Sequence, residues 1–312
     1  MLKKECYHHM PEAVETPPTK PFRWLSEILD NPDALKPPEP IVPGLAWKGH
    51  LTLLAGREKG GKSTICSAAA AAISRGTAFL NGPTTCANVL IISLEESTSL
   101  FSQRLVRFGA DPAKIAVIER GTPDLINAIW KTAEEVQPAL IIWDSLGAFA
   151  TEISGKSLDA GDAQGWTRVM LEILDVARTF GASLLIHHAN KSDGKYRDST
   201  AIGAVVDVIL EMYGEGAEPR ILKGRGRLEI PAELRVKFDD NAFHLMESLD
   251  DIKERLFAFI ASHPRCTMRA IYDGVGGRAK EVTRARDALL KERRIANMSD
   301  GQEHLYIAAS PR

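Results

Sequence analysis

Paired cysteines, net charge and long apolar runs are what this 312-residue chain lacks. Its four cysteines, Cys6, Cys66, Cys86 and Cys266, are scattered without a C-x-x-C pair, so their spacing implies neither a zinc cluster nor a disulfide framework and fits a reducing cytosol. Lys and Arg number 39 against 41 Asp and Glu, for a net charge of −2. Any nucleic-acid contact must therefore come from local basic patches and not from a globally basic surface. No apolar run reaches membrane-spanning length, and Met1 to His9 lacks the apolar core of a signal peptide. A cytoplasmic protein without a membrane partner is expected. His8 and His9 have no companion ligands nearby and read as a solvated pair. With 44% hydrophobic and 26% charged residues, the chain has the composition of a globular protein with one large core and a smaller satellite domain.

What is present is concentrated at Leu51 to Thr64. Gly56, four residues, then Gly61-Lys62-Ser63 matches the phosphate-loop pattern G-x-x-x-x-G-K-[ST], in which backbone N–H groups turn inward around the phosphates of a nucleotide. An apolar run precedes the pattern and an alanine-rich segment, Ser63 to Ser74, follows it, giving the required order of strand, loop and helix. The nucleotide-binding set is Gly56, Lys59, Gly60, Gly61, Lys62, Ser63 and Thr64. Lys62 would reach the β- and γ-phosphates, Ser63 would ligate Mg²⁺, and the helix would direct its positive end at the anion.

Upstream, Pro11 to Pro43 is thick with proline and reads as an arm or linker, with room for a short amphipathic helix over Phe22–Leu29. Downstream, apolar runs alternate with helical patterns: Asn88 to Leu94 ending in Glu95-Glu96, a helix carrying Phe101, Leu105 and Phe108, a run at Ile115 to Ile118, a helix around Ile126 and Trp130, the run Ala139 to Asp144, a polar loop from Gly147 to Gly165, a helix carrying Trp166, Met170 and Ile173, and the run Ser183 to His187. Such alternation predicts an α/β fold with a mostly parallel central sheet. Val205 to Met212, Arg220 to Lys223, Glu233 to Phe238 and Phe243 to Met246 read as edge strands.

Asp144 ends its apolar run where phosphate-loop ATPases carry a Mg²⁺-holding acid. The next residue is Ser145 and not a second acid, so the base that orients the attacking water must come from elsewhere. Glu95 and Glu96, at the end of a neighbouring strand, can supply it, with Glu95 preferred. Both also suit the first turn of the helix that follows them.

The order of these motifs resembles the RecA-like ATPases, and within them the plasmid- and phage-encoded hexameric replicative helicases of the RepA kind, over about Trp47 to Met246. Ser93-Leu94-Glu95-Glu96 matches that family's acid-bearing stretch, and His187-His188-Ala189-Asn190-Lys191 matches its His-His-x-x-Lys stretch. The resemblance implies ATP and Mg²⁺ as cofactors and a γ-phosphate sensor at His188, with His187 as the fallback. It further implies a Lys-x-Arg pair, Lys223 and Arg225, reaching into the site of the next subunit of a homo-oligomer, a hexamer in that family, with Arg227 as a spare. An exposed basic turn is the plainer reading of that pair. Loops 147–165 and 190–200 would face single-stranded DNA, Lys191, Lys195 and Arg197 in the second and Lys156 in the first gripping its backbone, or are simply solvated loops.

After Met246 the pattern changes. Three apolar stripes (Ile252, Leu256, Phe259 and Ile260; Met268, Ile271, Tyr272 and Val275; Val282, Ala285 and Leu289) are followed by a hairpin with its turn at Asp300-Gly301, the order of a winged helix. Arg278, Lys280, Arg284, Arg286 and Lys291 would give the third helix a basic face suited to DNA phosphates, although winged helices also dock proteins. The expected domains are thus 1–45 (Pro-rich arm), 46–247 (RecA-like ATPase) and 251–312 (winged helix). A replicative DNA helicase is the leading expectation. A recombination or repair ATPase remodelling a nucleoprotein filament and an ATP-gated, non-enzymatic DNA-binding regulator are its rivals.

Overall fold

The computed structural model describes residues 22–32, 34–188, 200–216, 218–298 and 304–309. The chain divides into two units, Met1–Pro38 and Glu39–Arg312. In the first, α1 (Leu25–Leu29) has no buried residue. It begins where the Trp24 backbone N–H donates to Glu27 at 3.0 Å, and the Phe22 and Trp24 rings meet edge-on at 5.6 Å.

The second unit opens with a two-stranded ladder of β1 (Pro40–Val42) and β2 (Ala46–Trp47). There follow β3 (Leu51–Gly56), α2 (Lys62–Arg75), β4 (Val89–Ser93), α3 (Thr98–Arg107), β5 (Ile115–Glu119), α4 (Leu125–Val136), β6 (Leu140–Asp144), α5 (Leu146–Ser154), α6 (Ala163–Phe180), β7 (Ala182–His188), α7 (Thr200–Val205), β8 (Val208–Tyr213), β9 (Arg220–Gly226), β10 (Glu233–Asp239) and β11 (Ala242–Met246). The last nine strands form one sheet in the order β11-β10-β9-β8-β3-β7-β6-β4-β5. From β5 across to β8 every pairing is parallel, and from β8 outward to β11 the pairings are antiparallel. The fold is therefore α/β with a mostly parallel central sheet. Strands covered on both faces need continuous apolar sequence, and β3, β4 and β6 supply it: nearly every residue in them is buried.

Helices α2 and α3 pack on one face, against a core that includes Leu54, Ile91 and Ile142. Five consecutive alanines of α2, Ala68 to Ala72, are buried there, short side chains that let the helix axis lie close to the sheet. Helices α4, α5 and α6 cover the other face around Trp143, Phe149 and Trp166. The buried Trp143 indole donates to Ser183 Oγ at 3.2 Å, so its one polar atom is satisfied.

Two expectations fail here. Of the four runs expected as edge strands only Phe243 to Met246 lies at the margin, within β11: β8, β9 and β10 each have neighbours on both sides, β8 beside β3, and Thr200–Val205 is helical. An apolar run states that it is buried but not which strands bury it. Gly147 to Gly165 is not one polar loop either. Leu146, Phe149, Ala150 and Ile153 recur at helical spacing, and α5 buries the first three of them. The second loop expected to face DNA, with Lys191, Lys195 and Arg197, lies outside the described residues.

Beyond β11 come α8 (Leu249–Ser262), β12 (Cys266–Thr267), α9 (Met268–Val275), α10 (Ala279–Lys291), β13 (Ile295–Asn297) and β14 (Leu305–Ala308). A capping box between Ser248 and Asp251 starts α8. The three short strands form an antiparallel sheet in the order β12-β14-β13. These elements enclose a core of their own, including Ile252, Leu256, Ile271, Val282, Leu289 and Tyr306. The turn at Asp300-Gly301 lies outside the described residues. Among the described residues no helix is long and apolar enough to cross a membrane.

Candidate nucleotide site

Strands β3, β4, β6 and β7 all point their carboxyl ends to one edge of the sheet, where a doubly wound α/β fold opens its ligand crevice. A cleft of about 380 Å³ there is lined by Lys59 to Thr64, Glu95, Glu96, Arg104, Asp144, Ile186 and His188. Residues from five segments of the chain thus meet in one place.

The loop between β3 and α2 has its shape from two glycines in particular. Gly61, the N-cap of α2, has φ +98°, a region open to glycine and costly for side chains. Gly56 lies so close to β8 that a Cβ would sit 2.9 Å from the Met212 carbonyl oxygen. Lys62 is 4% exposed, and its ammonium donates to the carbonyls of Gly56 at 2.8 Å and Arg57 at 2.7 Å. Burial lowers the Lys62 pKa, and the negative charges of Asp144 and Glu95 oppose that shift.

Asp144, at the end of β6, is hydrogen-bonded by the Ser63 hydroxyl. Its pKa is raised, first by burial and further by the nearby charges of Glu95 and Glu96. This corner therefore carries more negative charge than its own surroundings stabilise. Two oxygen donors, the Ser63 hydroxyl and the Asp144 carboxylate, are the ligand type a hard divalent cation such as Mg²⁺ accepts, with phosphate oxygens and waters completing its shell. The residues present fit that ion.

The two glutamates after β4 have different partners. Glu95 accepts from His188 Nε2 at 3.0 and 3.3 Å. Chiefly because of that bond, its pKa falls to about 2, with burial opposing and the Ser145 side chain assisting. Glu96 is instead gripped by the two terminal nitrogens of Arg104. His188 follows the cleft side of β7. His187 is buried and faces the other way, with its ring edge-on to Trp166 at 6.2 Å, an alternation that the two-residue period of a strand requires.

Lys223 and Arg225 do not line this cleft. The Lys223 ammonium lies over the Tyr213 ring at 5.7 Å, and Arg225 pairs with the buried Glu211 at 3.2 Å while its side chain stays 56% exposed. Arg227 is also outside the cleft of its own subunit. It bonds Asp207 at 3.3 Å and the Ala204 carbonyl at 2.6 Å, beside the amino end of β8 and so at the sheet edge opposite the phosphate loop.

Two residues with evident roles here carry no motif. Arg220 donates to the Gly60 carbonyl at 2.8 Å and to those of Glu218 and Gly216 at 2.5 and 3.0 Å, tying the loop to the β8–β9 turn. Arg104 reaches the cleft from α3. Neither has a sequence signal: Arg220 meets Gly60, 160 residues away, only through the sheet topology, and Arg104, eight residues beyond Glu96, carries no motif to mark it. A second cavity, of about 640 Å³, adjoins the loop between Arg57, Gly60, Met212 and the turn residues Gly214 to Gly216.

A glycine-lined loop at a helix start, a buried lysine, a Ser–Asp pair and a poised carboxylate on one α/β sheet edge define a phosphate-loop nucleoside triphosphatase, a class that binds nucleotide together with Mg²⁺. The family model described as an AAA domain matches residues 16–194, more than half of the chain, and the protein belongs to that family. Among solved structures, a KaiC-like protein from the hyperthermophilic archaeon Pyrococcus horikoshii OT3 is 15% identical over 68% of this chain and 99% of its own, with a TM-score of 0.49. That likeness is too distant to carry an argument about activity. No curated protein matches the chain.

Proposed function

We propose that the protein hydrolyses ATP with Mg²⁺, using Glu95 as the base, and does so as a ring-forming oligomer acting on DNA, as a replicative helicase of the plasmid or phage type. The observation that carries the hydrolytic part is the Glu95–His188 pair in the cleft shared with Lys62. Glu95 stays ionised and can orient a water in line with the γ-phosphate. His188, bonded to that carboxylate, is placed to register loss of the γ-phosphate and pass it to the segment after β7. Lys62 would exchange its two carbonyl partners for phosphate oxygens. Ser63 and Asp144 would hold the metal, which when bound neutralises charge on the β- and γ-phosphates. The cavity between Arg57, Gly60, Met212 and the β8–β9 turn would take the adenine ring.

The intersubunit part rests on the exposure of Arg225 and on the resemblance to ring helicases. Supplied by a neighbouring copy, Lys223 and Arg225 would stabilise charge in the transition state, an effect worth about 10³ to 10⁵ in rate for a trans-acting arginine. The DNA part rests on the winged-helix order of the carboxyl-terminal elements and on the exposed Arg278, Lys280, Arg284 and Lys291 along α10. One experiment tests the combination: ATPase rate against protein concentration, with and without single-stranded DNA. Specific activity that rises with concentration and again with DNA supports the motor. Activity independent of both would leave a plain nucleoside triphosphatase. Strand pairing without unwinding of a forked duplex would favour the recombination reading.

A further inference from the structure

Three carboxylates, Glu95, Glu96 and Asp144, crowd the corner where metal and γ-phosphate would meet, and two of them have work assigned above. A third free carboxylate there would compete for the cation and repel the nucleotide, since like charges at close range repel strongly in a partly buried site. Glu96 is not free. Arg104 reaches across from the last turn of α3 and grips both its oxygens, in a bidentate geometry that a guanidinium fork alone provides. The same guanidinium is fixed from behind: its Nε donates to Ser67 Oγ at 3.0 Å, and Ser67 Oγ donates to the Ser63 carbonyl at 2.7 Å. The arginine is thus anchored to the first turns of the phosphate-loop helix, with 18% of its side chain exposed.

We propose that Arg104 is a positioning residue that occupies both oxygens of Glu96 within the metal and γ-phosphate corner, so that Asp144 and Ser63 alone take the cation and Glu95 alone meets the water. This rests on the hydrolytic reading above and adds to it why one of two adjacent glutamates acts. It assigns Arg104 no contact with phosphate. Its effect is exerted entirely through Glu96, and that makes a sign prediction: removing the arginine does harm only while Glu96 keeps its charge.

The test is a double-mutant cycle on the full chain, with kcat and the Mg²⁺ concentration for half-maximal rate as readouts. Arg104→Met keeps most of the stem that packs beside α2 while removing the fork. In that variant kcat should fall about tenfold or more and the Mg²⁺ dependence should shift, a coupling of ordinary size for residues in direct contact. Adding Glu96→Gln to Arg104→Met should restore both readouts to within about threefold of wild type. Thermal unfolding of each variant separates folding from function, and Arg104→Lys serves as a second probe, since it keeps the charge but loses the fork and should lie between Arg104→Met and wild type. If the double variant is no better than Arg104→Met while both remain folded, Arg104 acts directly or only in packing and the proposal is wrong. If wild type itself fails to hydrolyse ATP, the hydrolytic reading fails first, which is a different result.

Discussion

His188 Nε2 lies 3.0 Å from Glu95 Oε1, joining the end of β7 to the end of β4 across the intervening strand β6. The bond is the main reason the Glu95 carboxyl titrates at about 2 and not near its ordinary 4.5. A depressed carboxyl pKa contributes stability that is fully present above the ordinary value and is lost as pH falls from 4.5 toward 2. It also keeps Glu95 ionised throughout the neutral and mildly acidic range. Replacing the histidine, as in His188→Ala, should raise the Glu95 pKa toward or beyond the ordinary range. The acid limb of the kcat/KM profile should then move upward in pH, while the wild-type profile stays flat down to about pH 5 as far as this group is concerned. A profile unmoved by the substitution would break the link between the two residues.

Gly56→Ala tests the geometry of the loop's entry. The added methyl would meet the Met212 carbonyl oxygen at 2.9 Å, and both backbones are held in the β3–β8 ladder, so neither can yield cheaply. A loss of about 1–3 kcal/mol in stability is expected, together with weaker nucleotide binding. Urea unfolding gives the first quantity and nucleotide titration the second.

Arg220→Ala should act on binding more than on chemistry. The guanidinium holds the Gly60 carbonyl and the β8–β9 turn together but lies outside the carboxylate corner. KM for ATP should rise about tenfold, in line with the loss of hydrogen bonds to a charged group, with kcat changed much less. Steady-state kinetics decide it.

Mixing tests the trans arrangement. Subunits carrying Lys62→Ala keep Arg225, and subunits carrying Arg225→Ala keep an intact loop. Each should be nearly inactive alone, and a mixture should recover a measurable fraction of the wild-type rate. No recovery in a mixture that demonstrably co-assembles would remove Arg225 from the site.

Removing the basic residues of α10, as in Arg278→Ala with Lys280→Ala and Arg284→Ala, should weaken DNA binding and reduce the slope of log K against log salt by up to about 0.9 per lost phosphate contact. Binding measured over a range of salt concentrations, with the same slope in the variant, would point to a protein-docking role for this module.

Much of this site could be read along the chain because its parts are local. The phosphate loop is a contiguous pattern, and Glu95, Asp144 and His188 each end an apolar run, so parallel strands bring them to one edge. The choice between Glu95 and Glu96, or between His187 and His188, is not local. It depends on which side chain the strand and the turn aim into the cleft, and on the partner each finds there, His188 from β7, 93 residues away, for Glu95. Arg220 was invisible for the same reason, since its partner Gly60 is 160 residues away. The interior place of β8 is not legible because an apolar run records burial without recording neighbours, and α5 is short enough for its stripe to run straight into the polar stretch after Ser154.

Glu95 is the group proposed to turn nucleotide binding into hydrolysis. The direct test is Glu95→Gln, with ATP hydrolysis and nucleotide binding measured on the same preparation. Binding should survive, because Lys62, Ser63 and Asp144 remain, and the rate should fall by a factor of about 10² or more, as expected for loss of a general base. Hydrolysis at the wild-type rate in a folded, nucleotide-binding Glu95→Gln protein would contradict that role.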